Sequence, residues 1–136
     1  MELGPGATRD AVRKAEEALE ISLPEDYVEF MVGSNGGEIE VGENQLRLWP
    51  IEELSYMNEG YEVDLNVPGL VLFGTDGGME AYGFDTEGEE PRVVMIPFVP
   101  MERGAAIPCG RTFTEFLENL RRGDSSSAGD EDGDQG

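Results

Sequence analysis

Apolar residues recur at helical spacing toward both ends of this chain and alternate with polar ones through its middle. That pattern predicts helices at the flanks and strands between them. Thr8 is placed to cap a first helix, with Asp10 in its opening turn and Val12, Ala15 and Leu19 as a modest apolar stripe extended by Ile21. Pro24 suits the first turn of a second helix, where its missing N–H is not needed, and Glu25 and Asp26 sit at the positive end of that helix dipole. Tyr27, Phe30 and Met31 fall at i, i+3, i+4, one buried stripe of a helix running to about Val32. Asn35-Gly36-Gly37 supplies residues that accept positive φ and turns the chain sharply out of it.

Ile39 and Val41 then alternate with Glu38 and Glu40, a half-exposed strand, and Gly42-Glu43-Asn44 reads as a turn. Leu46 and Leu48 alternate with Gln45 and Arg47 in a second strand ending at Trp49, and Pro50 begins a helical turn through Met57. Leu70–Phe73 is a continuous apolar run, as a central strand requires. Asp76-Gly77-Gly78 is strong turn chemistry, so Met79–Phe84 reads as its hairpin partner, and Arg92–Phe98 as the last strand. Thr112 and Glu115 have capping-box spacing before an apolar face of Phe113, Phe116, Leu117 and Leu120, with Arg121-Arg122 at the helix end. Helices, then strands, then a helix predict an α+β fold: a mainly antiparallel, curved sheet flanked by N-terminal helices and a C-terminal helix.

Length sharpens this to one domain, since 136 residues bury a single core of ordinary size. Its expected limits are residues 8–122. Residues 1–7 hold two glycines and a proline and read as a flexible N-terminus, and residues 123–136 read as a disordered acidic tail. No apolar run approaches the ~20 residues of a membrane span, and no secretory leader is visible. The lone Cys109 has no partner for an internal disulfide, so a cytoplasmic location is expected.

Charge changes the picture most. Thirty acidic residues face nine basic ones, for a net charge of −21 without a single histidine. The tail contributes only five of those acids, and between Ala15 and Gly110 the cations are Arg47, Arg92 and Arg103. The folded body is itself acidic. Such a surface repels nucleic acid and anionic membranes and attracts basic partners, although acidity also serves solubility alone.

Most catalytic chemistry is excluded by composition. Without histidine there is no Ser-His-Asp or Cys-His apparatus, and one cysteine cannot build a thiolate zinc site. Gly74-Thr75-Asp76-Gly77-Gly78 lacks the lysine of a P-loop, and Lys14, the only lysine, lies on an amphipathic helix. Carboxylate pairs remain: Glu52/Glu53, Asp76/Glu80 and Glu89/Glu90. With thirty acids such neighbours arise by chance, and adjacent surface acids usually just solvate a turn. The tail's Asp130-Glu131-Asp132-Gly133-Asp134 lacks the spacing of a calcium loop. No metal and no cofactor is expected. Phe73, Tyr82 and Phe84 read as sheet packing and Cys109 as inert. Trp49 reads as core or, alternatively, as an exposed anchor, and Tyr56 and Tyr61 as exposed in a polar segment over 55–66. If the sheet curves, Glu52, Glu53, Asp64, Asp76 and Glu80 gather at one rim as a negative mouth. The alternative is a scattered, solvated surface.

The ordered set of these pieces resembles the SUKH superfamily, the Smi/Knr-type domains. The resemblance is carried by a helix with a central Glu16, then Leu23-Pro24-Glu25-Asp26-Tyr27-Val28-Glu29-Phe30 and Asn35-Gly36-Gly37, then Leu46, Leu48 and Trp49 with Ile51-Glu52-Glu53-Leu54. It continues through Pro68-Gly69-Leu70-Val71-Leu72-Phe73-Gly74, Asp76-Gly77-Gly78, Ala81-Tyr82-Gly83-Phe84-Asp85 and Thr112–Leu117, covering roughly residues 8–122. It implies a SUKH-like fold and binding without catalysis, as in bacterial immunity proteins that block a cognate polymorphic toxin, frequently a nuclease. The expected partner is therefore a basic, nuclease-type toxin domain, with no nucleic acid or membrane bound directly and a monomer or weak dimer as the working form. The residues expected to meet it are Glu52, Glu53, Asp64, Asp76, Glu80, Trp49, Tyr56 and Tyr61. A general scaffold module, as in fungal cell-wall assembly regulators with the same domain, is the chief alternative, and a carboxylate-dependent hydrolase the third.

Overall fold

A computed structural model describes residues 2–3, 6–87 and 91–122. It contains an antiparallel seven-stranded sheet whose strands lie side by side in chain order. The strands are β1 (Glu2–Leu3), β2 (Gly37–Val41), β3 (Asn44–Leu48), β4 (Leu70–Thr75), β5 (Glu80–Asp85), β6 (Arg92–Pro97) and β7 (Ile107–Gly110). Helices α1 (Arg9–Leu19) and α2 (Glu25–Gly33) precede the main strands. A 3-10 turn (Ile51–Glu53) and the short helices α3 (Leu54–Gly60) and α4 (Val63–Asn66) link β3 to β4, and α5 (Phe113–Arg122) closes the fold.

Local chemistry sets the helix ends. The Thr8 hydroxyl accepts from the Ala11 N–H at 3.0 Å, as its position predicts. Pro24 lies one residue outside α2 as its N-cap, and its carbonyl takes the first helical bond, from Val28 N–H. The preceding Leu23 N–H is satisfied by the Glu16 carboxylate at 2.8 Å. Asp26 does more than face a helix dipole: its Oδ2 accepts from both the N–H and hydroxyl of Thr114, fastening α2 to the start of α5. The capping box forms with an offset. Thr112 accepts from Glu115 N–H, but the Glu115 carboxylate returns to Arg111 N–H rather than to the cap residue itself.

The central strands are covered on both sides, and all six residues of β4 are buried. On one face α2 and α5 close over an aromatic cluster. Tyr27 lies 5.6 Å from Phe73, 5.1 Å from Phe84 and 5.2 Å from Phe113 between ring centroids, and Phe116 meets Phe73 and Tyr82. A bulge between Leu72 and Gly74 interrupts the β4–β5 register, and Phe73 sits in that break as part of the cluster. Gly42, at the β2–β3 turn, has φ +66°, and a Cβ there would meet the Arg121 carbonyl at 2.3 Å. The turn fits against the end of α5 only as glycine. Asn44 completes the grip by donating to the Leu120 carbonyl.

Three features depart from the pattern-based reading. Glu2–Leu3 pairs with β2, and Ala7 is buried with its N–H on the Met31 carbonyl, where a fraying end was expected. Strand β7 follows β6, in a stretch whose Pro108 and glycines hide the alternation. The helical turn expected from Pro50 through Met57 forms as the 3-10 turn and α3, but α3 runs on to Gly60 and α4 follows it inside the polar segment over 55–66, too short to show a helical period.

Candidate protein-docking surface

The connection from β3 to β4, residues 49–69, starts from fixed backbone. Trp49 N–H donates to the Phe73 carbonyl, and Asn35 Oδ1 accepts from Ile51 N–H at 2.8 Å, starting the 3-10 turn. Gly36 holds φ +89°, and a Cβ there would stand within 3.0 Å of Leu48 and Pro50 backbone atoms, so the turn that aims Asn35 requires glycine. Asn58 then docks α3 on the sheet. Beyond the last β3 partner of β4, its side chain takes the place of the missing strand. Oδ1 accepts from Leu72 N–H at 2.7 Å, and Nδ2 donates to the Leu72 and Leu54 carbonyls at 2.9 and 2.8 Å. A buried amide that satisfies both an open strand edge and its own helix is a stringent positional device.

This scaffold carries most of the predicted contact residues. Glu52, Glu53 and Asp64 are exposed, Glu52 accepting from Asn35 Nδ2 at 2.7 Å. Trp49 is buried, and Tyr61 stacks on it with centroids 6.1 Å apart and planes 15° apart. Tyr61 also meets Phe98 at 4.8 Å and remains 41 % exposed, while Tyr56 is 74 % exposed. Trp49 is therefore the base of an aromatic stack rather than its exposed tip.

The β4–β5 turn is a separate feature. Asp76 is half-buried, and its Oδ1 accepts from Gly78 and Glu80 N–H groups, as an Asx turn does. Glu80 pairs with Pro97 and shares the sheet face of Tyr82, whose ring meets Phe116 of α5, whereas Tyr61 bridges Trp49 and Phe98. The turn reaches the stack through Met79, whose carbonyl accepts from Phe98 N–H. Burial pushes the Tyr82 phenol up, and the Asp76, Cys109 and Glu80 charges push it further. Burial likewise raises the Cys109 thiol to about 12, well away from thiolate chemistry at neutral pH. Glu89, Glu90 and the acidic tail lie outside the described residues.

Other residues of this surface were not singled out by sequence. Leu65, Met79 and Val99 are more than three-quarters exposed, and Glu59 and Glu62 bring the acids of residues 49–69 to five without one base. The signal was readable: residues 48–91 contain no lysine or arginine. Among the described residues, none of the ion pairs involves those five acids. Arg9, Arg13, Lys14, Arg47, Arg103 and Arg111 pair with other acids. Arg103, for instance, grips the buried Asp85 carboxylate with Nη1 at 3.0 and 2.9 Å and the Pro68 carbonyl with Nη2. Among the described residues no cluster of three His, Cys, Asp or Glu side chains is arranged to hold a metal ion, and no helix is long and apolar enough to cross a membrane.

Fold and surface together define a small α+β domain with an acidic, aromatic face. The sequence matches the SMI1/KNR4 (SUKH-1) family model over residues 6–119, and the chain belongs to that family. The family includes immunity proteins of polymorphic toxin systems, and its domains are generally non-catalytic immunity or interaction modules. No individual curated protein matches the chain.

Proposed function

We propose that this protein is an immunity protein that binds and neutralises a basic, nuclease-type toxin domain in the cytoplasm, without catalysis. The observation that carries the reading is the β3–β4 connection, which presents five acids and two exposed tyrosines and no base of its own. A nuclease is basic where it grips phosphate, so an acidic surface of this kind can occupy that grip and exclude the nucleic acid. The field of the whole chain steers the encounter, and the aromatic side chains supply the short-range contact. Glu52, Glu53, Asp64, Tyr56 and Tyr61, seated on Trp49, form the centre of the proposed interface, with Asp76 and Glu80 at its edge.

Co-expression with the toxin domain encoded beside it tests this directly. Restored growth and a co-purifying complex are expected, and neither appearing would refute the proposal. Several unrelated proteins captured at similar affinity would point instead to a general interaction module. The association rate should fall steeply from low to physiological salt while the dissociation rate changes little. A salt-independent association rate would confine the acidity to solubility.

A further inference from the structure

The end of α3 has the parts of a cation site. A depression of about 330 Å³ is lined by Tyr56, Met57, Glu59, Gly60 and Tyr61, near the lower end of the ~300–1,000 Å³ range of ligand pockets. Gly60 leaves its floor open, since nothing lies within 4 Å of where a Cβ would stand. Tyr61 is a fixed wall, held by Trp49 and Phe98. Tyr56, by contrast, has no ring partner among the described residues, so its π-face is available. The last turn of α3 carries Glu59 and contains no basic residue.

Resting on the reading of this protein as a binder of a basic protein, we infer that this depression receives one arginine side chain of the partner. The guanidinium lies against the Tyr56 ring and pairs with the Glu59 carboxylate, and its methylene stem runs over Met57. A guanidinium is planar and weakly hydrated, so it gains from an aromatic face and a carboxylate together. A lysine ammonium keeps its water and uses only the charge. The depression therefore selects arginine over lysine, which uniform surface acidity does not.

The test is an NMR titration of the full chain, at about 0.15 M salt, with N-acetyl-arginine amide and N-acetyl-lysine amide as probes. The expected result is saturable shifts concentrated at residues 56–61, with arginine bound several-fold more tightly than lysine. Tyr56→Ala and Glu59→Gln should each weaken arginine about three- to tenfold, and Tyr56→Phe should bind as the parent does. Both positions are exposed, and unchanged melting temperatures confirm that the variants fold. Equal shifts with both probes spread over the acidic surface, or full arginine binding by Tyr56→Ala, would overturn the inference. Its failure is distinct from that of the proposed function. A toxin complex that forms without arginine selectivity removes only this site, whereas selective arginine binding with no toxin complex removes only the immunity role.

Discussion

Two regions of the molecule use the same kinds of side chain for opposite ends. Under α2 and α5, Tyr27, Phe73, Phe84, Phe113 and Phe116 are almost wholly buried and packed ring against ring. On the β3–β4 connection the aromatic side chains grade outward, from buried Trp49 through half-held Tyr61 to free Tyr56, among carboxylates. An aromatic ring surrounded by other rings stabilises the fold, and one surrounded by acids is left to meet something else. Tyr27 marks the limit of the first use. Its hydroxyl is buried with no hydrogen-bond partner among the described residues, so even a polar ring serves there as apolar bulk.

The contrast is broken most forcefully by truncation. Phe73→Ala should cost about 3–5 kcal/mol in urea unfolding, while Tyr56→Ala leaves the unfolding midpoint within experimental error and weakens partner binding. Equal effects on stability would erase the distinction between the two regions. Next in size is Asn58→Leu, which strands the Leu72 N–H and carbonyl and should cost about 2–4 kcal/mol. It should also loosen α3, seen as faster amide exchange over residues 54–60 than over α5. Uniform exchange would show that the connection does not depend on that amide.

Alkaline titration probes the buried face alone. Cys109 has its thiol pKa raised in the folded state, so its protonated form is favoured by folding. That stability is fully present below the ordinary value of 9.0 and is lost as pH climbs toward about 12. Burial raises the Tyr27 and Tyr82 phenols as well, so their contributions fade in the same direction above pH 10.0. The melting temperature should therefore fall progressively above pH 9.0, and iodoacetamide should label Cys109 in urea but not in the native protein. Rapid native labelling would contradict the burial. The smallest effect is expected at Glu20, which ends α1 at φ +62°. Glu20→Gly should gain about 1 kcal/mol by relieving a left-handed residue, and a loss would mean that its side chain holds the helix end.

Much of this arrangement was written in local pattern. The Thr8 cap, the Tyr27 and Met31 stripe, the Asp76 turn and the apolar β4 run each depend on neighbours a few residues away, and each forms as the spacing predicts. What was not legible depends on distant partners. Asn58 reads as a polar loop residue until Leu72 is placed beside it, and Asp26 reads as a helix-dipole acid until Thr114 arrives. The candidate surface was half visible. The cation-free stretch and its acids lie in plain sequence, but whether Trp49 or Tyr56 is the exposed ring is decided by packing.

The grip of the β2–β3 turn on α5 carries a consequence for synthesis. Asn44 and the Leu120 carbonyl are 76 positions apart, and Asp26 and Thr114 are separated by 88. The early hairpin and α2 cannot reach their resting places while the ribosome still holds the final helix. Closure therefore waits until α5 itself has been made, and a message broken before α5 yields no working domain.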